Sequence, residues 1–333
     1  MHPNLTPDDL RRLGGLKWTG IPSAIAAWVA ESDLGTAPAV TAALHDAVDR
    51  GMTGYLPPAV DAAMRAACAD WQRERFGWSV PDAWVSPVAD VVEALRLTVE
   101  HFSRSGSALI VPTPAYMPFL TTPLTWGRQV IQLPMVPGPD GPTIDLVALD
   151  RAFTDGGGVL TLVNPHNPTG RVMSSAELAA IAEVVEHHGG RVFADEVHAP
   201  LVHAGHRHVP YASVSPLAAG HTVTATSASK GWNVAGLKCA QLIVSNDADA
   251  AAWAPLREAA SHGASTLGVI ANTAAYAHGG AWLDGMLREL GENVRTFTAE
   301  LAAHAPAIGF TPPAGTYLAW LDLRPALAEL GDQ

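Results

Sequence analysis

Between residues 85 and 245, short apolar runs rich in branched side chains alternate with stretches of helical period. The runs SALIV (107–111), GVLTLV (158–163), RVFAD (191–195), HTVTAT (221–226) and CAQLIV (239–244) are bounded by Gly, Pro or polar residues. They read as buried strands. One intervening helix is explicit in SSAELAAIAEVVEHHGG. Ser174 with Glu177 three residues later makes a capping box, Leu178, Ile181, Ala182 and Val185 share one face, and Gly189 is a stop. Strand, helix and strand in this order imply right-handed crossovers and an α/β fold, with a mostly parallel sheet between helices. The tail PPAGTYLAWLDLRPALAELGDQ reads as a turn, a strand (TYLAWLDL) and the start of a helix.

In such a sheet, ligands bind at the carboxyl ends of the strands. That rule selects PTPAY (112–116), NPHNPTG (164–170), DEVH (195–198) and SASK (227–230). The remaining features bound the function. A length of 333 residues fits one large or two unequal domains. With 32 acidic against 20 basic residues and no basic stripe, nucleic-acid binding is disfavoured. Two distant cysteines, Cys68 and Cys239, fit a reducing compartment. The start of the chain has no apolar signal region, and no apolar run is long enough for a membrane span. The expectation is a soluble cytoplasmic protein.

A lysine at the end of a buried strand either finds a partner or loses its proton. Lys230 has that position in a lysine-poor chain. A neutral lysine amine is a nucleophile for carbonyls, and the carbonyl cofactor that suits it is pyridoxal phosphate. That group needs an amine, a carboxylate for its pyridine nitrogen, a donor for its ring hydroxyl, an aromatic on its face and a phosphate cradle. Candidates for each stand at the strand ends. Lys230 is the amine and the catalytic residue, Asp195 the carboxylate, Asn167 the donor and Tyr116 the stacking ring. Ser227, Ser229 and Lys238 can reach the phosphate, with backbone amides near Ala89 and Asp90 at the head of VADVVEALRLTVEHF. His198, His203, His206 and His208 match no metal-site spacing, so no metal is expected.

NPHNPTG, ADEVH and SASKGWNVAGLK together resemble the cofactor motifs of the class I/II aminotransferase superfamily, the pyridoxal-phosphate enzymes of fold type I. Within it, WVAESD, TGYLPP, TPAYMPF, DEVHAPLVHAGHRHVPYASVS and GTYLAWLDLR resemble the PatB/MalY-type cystathionine β-lyases. The resemblance implies a seven-stranded-type sheet in a large domain, residues 40–280. It implies a smaller α+β domain from residues 1–39 and 281–333. It also implies a homodimer, in which Tyr55 reaches the partner subunit's cofactor phosphate, and it puts His198 beside the ring where aminotransferases carry a tyrosine. By the same comparison the chain stops about fifty residues early. The stretch beyond would carry the arginine that grips the substrate α-carboxylate, and Arg324 comes too early for that role. The activity implied is a C–S β-lyase acting on L-cystathionine or related cysteine S-conjugates. Two alternatives stay open: an aminotransferase using the same residues, and a cofactor-binding protein with weak or no catalysis.

Overall fold

The structure is a computed structural model that describes residues 5–21 and 24–327. Seven strands form its central sheet. They are β1 (Val85–Val88), β2 (Ala108–Thr113), β3 (Val130–Pro134), β4 (Gly157–Val163), β5 (Arg191–Asp195), β6 (Thr222–Thr226) and β7 (Ala240–Val244). Their spatial order is β1-β7-β6-β5-β4-β2-β3. The pairs β2–β3, β2–β4, β4–β5 and β5–β6 are parallel, while β7 runs antiparallel to both β1 and β6. The mostly parallel α/β sheet is therefore present, with one reversed strand.

Both faces of this sheet are covered, which is why its inner strands are continuous apolar runs rather than alternating ones. All seven residues of β4 are buried. Alternate side chains serve different layers. Leu109, Val111, Val159, Val163 and Phe193 pack with the helix Val91–Phe102 and Trp253 on one side. Ile110, Leu160, Leu162, Val192 and Ala194 pack on the other, with the helices Leu146–Thr154 and Ser175–His187. The capping box forms as expected: Glu177 N–H donates to Ser174 Oγ, and Ser174 N–H donates to a Glu177 carboxylate oxygen at 2.9 Å.

Two strands had no apolar signal. β1 is four residues long and contains Pro87, and β3 is only partly buried. Both lie at the edges of the sheet, where proline and polar residues are tolerated. A correction falls on the tail. The expected strand over 316–323 is reduced to β9 (Leu321–Asp322), paired with β8 (Gly309–Phe310). Thr316, at φ 69°, leaves the extended region, and its N–H donates to the Leu201 carbonyl at 2.9 Å. Tertiary hydrogen bonds thus fold residues 314–317 against the loop after β5 instead of into a strand. Of the helix expected after it, residues 324–327 form a turn, the Leu327 N–H donating to the Leu323 carbonyl at 3.0 Å, and the remainder lies outside the described residues.

Candidate active site

Asp195 ends β5 and is 5% exposed. Its Oδ1 accepts the Val197 N–H at 3.1 Å. Burial raises its pKa to about 7, with a further push from Glu196 and opposition from the Val197 hydrogen bond and Lys230. Glu196, beside it, is also buried but differently placed. Its carboxylate accepts the Tyr211 N–H at 2.8 Å and faces His208 Nε2 at 3.1 Å. Among the described residues, Asp195 has no cationic or imidazole partner in hydrogen-bond contact, whereas Glu196 has His208.

Lys230 lies one strand over, in the helical turn Ala228–Gly231 after β6. Burial lowers its pKa, against the attraction of Asp195 and Glu31. A buried polar lattice fixes the turn. Ser227 Oγ donates to the Cys239 carbonyl at 2.7 Å and accepts the Ser229 N–H at 3.0 Å. Asn272, from the helix Thr266–His278, accepts the Ala228 N–H at 2.9 Å. Gln241 Nε2 donates to the same Asn272 oxygen at 3.2 Å, and Gln241 Oε1 accepts from Tyr276 at 2.7 Å. Below this lattice Trp232 is fully buried.

His198 follows Asp195 by three residues and is 2% exposed. Its Nδ1 is buried without a hydrogen-bond partner among the described residues. Burial, then the charge of Lys230, lowers its pKa to about 3, so the imidazole is neutral. Asn167 is partly buried in a turn that Gly170 makes possible. Gly170 has φ 71°, and a Cβ there would come within 2.3 Å of Pro313. Tyr116 is 44% exposed and packs edge-on against Phe119. Its phenol is pushed up first by burial, then by Asp195 and Asp90, against Lys238. That ring therefore lies in the field of both ends of the site.

The other expected phosphate ligands face solvent more openly. Asp90 caps the helix Val91–Phe102 by accepting the Glu93 N–H at 2.9 Å, and Ala89 precedes it. Lys238, in a left-handed conformation, reaches the Asp90 carboxylate at 3.1 Å. Ser227 Oγ bonds the Cys239 carbonyl and accepts the Ser229 N–H, so it caps the lysine turn. Tyr55 is fully exposed and belongs to a separate hollow of about 910 Å³ shared with residues 254–267. A wider hollow of about 1770 Å³, between the 135–142 loop and residues 309–327, contains neither Lys230 nor Asp195. The three histidines beyond His198 have separate surroundings. His203 Nε2 donates to the Thr316 carbonyl, His208 faces Glu196, and His206 joins the wider hollow.

Several neighbours of Lys230 were not singled out from sequence. Ala30 accepts from its amine at 3.2 Å, Glu31 adds a negative field, and Asn233 and Tyr317 complete the wall. Nothing local marks them. All four lie inside motifs quoted above, Ala30 and Glu31 in WVAESD, Asn233 in SASKGWNVAGLK and Tyr317 in GTYLAWLDLR, but those stretches assign them no role.

These residues fit pyridoxal phosphate. A buried carboxylate without a cationic hydrogen-bond partner suits a pyridinium N–H, and a half-buried amine of lowered pKa suits an aldehyde. Residues 29–331 match the model of the aminotransferase class I and II family. The chain is 40% identical to cystathionine β-lyase of Corynebacterium glutamicum, over 95% of this chain and 83% of that protein. It is 33% identical to cystathionine β-lyase PatB of Bacillus subtilis, over 93% and 82%. It superposes with a TM-score of 0.90 and 38% identity on a crystal structure from Corynebacterium diphtheriae, a candidate pyridoxal-phosphate-dependent β-cystathionase, covering 96% of this chain and 83% of that one. The chain thus belongs to the class I and II aminotransferase family of pyridoxal-phosphate-dependent enzymes, on the branch that holds the PatB- and MalY-type cystathionine β-lyases.

Proposed function

We propose that this chain is a pyridoxal-phosphate-dependent carbon–sulfur β-lyase. It takes L-cystathionine, or a related cysteine S-conjugate, and with water yields a thiol, pyruvate and ammonia. The observation that carries the reading is the juxtaposition of Asp195 and Lys230 on neighbouring strand ends. One is a carboxyl raised to about 7 by burial, the other an amine whose pKa burial lowers. The relatives named above support it.

When bound, pyridoxal phosphate supplies the electron sink that lets an amino acid lose its Cα proton and then its β-sulfur. The chain's own residues do the rest. Lys230 holds the aldehyde, and its freed neutral amine takes the Cα proton at Nζ. Asp195 pairs with the ring nitrogen. Asn167 donates to the ring hydroxyl, Tyr116 covers the ring face, and neutral His198 lines its edge. Ser227, Ser229, Lys238 and the amides near Ala89 and Asp90 hold the phosphate, with Ser227 also fixing the turn beneath. A homodimer completes the site with Tyr55 of each subunit, a role its full exposure suits. Residues 40–280 form the cofactor domain, and 1–39 with 281–333 the smaller one. A cytoplasmic setting agrees with the two free, buried cysteines. Among the described residues, no helix is long and apolar enough to cross a membrane.

The deciding experiment incubates purified protein and pyridoxal phosphate with L-cystathionine and no keto acid. Pyruvate over many turnovers is expected. Amino transfer only when a keto acid is added would give the reading to the aminotransferase alternative. An imine band without either reaction would leave a cofactor-binding protein.

A further inference from the structure

An irregular stretch, residues 30–32, is fastened over the Lys230 turn. Lys230 Nζ donates to the Ala30 carbonyl at 3.2 Å, and the Tyr317 hydroxyl donates to the same oxygen at 3.1 Å. Asn233 then closes a ring with Ser32. The Ser32 N–H donates to Asn233 Oδ1 at 3.0 Å, and Asn233 Nδ2 donates to the Ser32 carbonyl at 3.0 Å. Tyr317 is aimed by a fixed corner. Its neighbour Thr316 donates its N–H to Leu201 and accepts from His203 Nε2 at 2.7 Å. The Tyr317 ring also meets the His198 ring edge-on, with centroids 6.2 Å apart.

We propose that Tyr317 is a positioning residue for Lys230, acting through the Ala30 carbonyl to which both groups donate. The inference rests on Lys230 being the cofactor lysine. A carbonyl oxygen has two lone pairs, so both donors fit. Two donors on one acceptor weaken each other, so a carbonyl shared with Tyr317 holds an ammonium less firmly than one that is free. The amine released during turnover must stay near Cα and stay neutral to take its proton. Burial favours the neutral amine, while Asp195 and Glu31 favour the ammonium. His198, also within the field of Lys230, is itself neutral. Tyr317 adds to the neutral side while fixing where the amine rests.

The test uses Tyr317→Phe, which deletes only the hydroxyl. The first readout needs no turnover. The cofactor-stripped full chain is mixed with pyridoxal phosphate, and the rate of appearance of the visible imine band is followed against pH. Only the neutral amine reacts, so the acid limb reports Lys230. In Tyr317→Phe the limb should move up by about half a pH unit or more. The kcat for pyruvate release should fall about tenfold, with KM within about twofold. Tyr317→3-fluorotyrosine, a stronger donor of similar shape, should move the limb down. Asn233→Ala frees the stretch at Ser32 without touching the Ala30 oxygen, and should leave the limb in place. An unmoved limb in Tyr317→Phe, an upward shift with 3-fluorotyrosine, or an equal shift in Asn233→Ala overturns the proposal. A wild-type chain that forms no imine band at any pH sinks the functional reading as well. A band in the wild type with no shift in Tyr317→Phe sinks this proposal alone.

Discussion

Asp195 and Lys238 both bring charge to the candidate cofactor site, yet they live in different media. Asp195 is 5% exposed on the sheet's carboxyl edge, while the Lys238 side chain is 61% exposed and paired with Asp90. The floor around Asp195 and Lys230 is buried, and its pKa values are moved by that burial. The rim around Lys238, Asp90 and Tyr116 is open, and exposed pairs there contribute little by themselves. The floor should therefore govern both chemistry and folding. The rim should govern chiefly how tightly the cofactor is held.

The largest effect is expected at the floor. Lys230→Ala should lower pyruvate release by at least about a thousandfold and remove the imine band. Residual turnover near wild type would break the contrast at its centre. Asp195→Asn should lower kcat by about a hundredfold while stabilising the cofactor-free chain at neutral pH. The sign follows from linkage. The folded chain keeps the Asp195 proton up to about pH 7, whereas a free carboxyl releases it near its ordinary value of 3.8. Asp195 thus costs nothing at low pH, and its stability cost grows as pH rises toward 7, on the order of 2–4 kcal/mol. His166 and His198, neutral down to about 4 and about 3, act in the opposite sense. The informative quantity is therefore the difference between variant and wild type in cofactor-free thermal melts. That difference should appear at pH 7.5 and vanish near pH 4; equal gaps at both would rule out burial of the charge as the cause.

Smaller effects belong to the rim and to Tyr55. Lys238→Ala should weaken cofactor affinity about tenfold, less so at high salt, with stability changed by under about 0.5 kcal/mol. Equilibrium dialysis at two salt concentrations measures the first, and a denaturant melt the second. A large loss of stability would show that Lys238 is part of the floor after all. Tyr55→Phe should weaken cofactor retention about threefold. Retention unchanged on dilution would count against a role across a subunit interface.

The backbone plan was legible because its signals are local. The five apolar runs became β2, β4, β5, β6 and β7, displaced by at most two residues at their ends. Ser174 and Asp90 cap the helices they precede, and Glu177 closes the first box from inside the helix. The strands that escaped, β1 and β3, are edges with weak burial or a proline. The tail misled because TYLAWLDL has the period of a strand, while tertiary bonds at Thr316 turn it away. Within the site, residues near the strand ends could be named from position alone. Asn272 could not, since its bond to Ala228 spans 44 residues of sequence.

What the sequence by itself determined is therefore the sheet, its carboxyl edge and the identity of the groups placed there. Hydrophobic period and capping act within a few residues, so they survive in one dimension. What only the tertiary structure decided is the state of those groups. Ala30 meets Lys230 across 200 residues of sequence, and Tyr317 meets Ala30 across 287. The shifted pKa values of Asp195, His198 and Lys230 come first from burial. Desolvation depends on everything packed around a charge, and no stretch of sequence contains that.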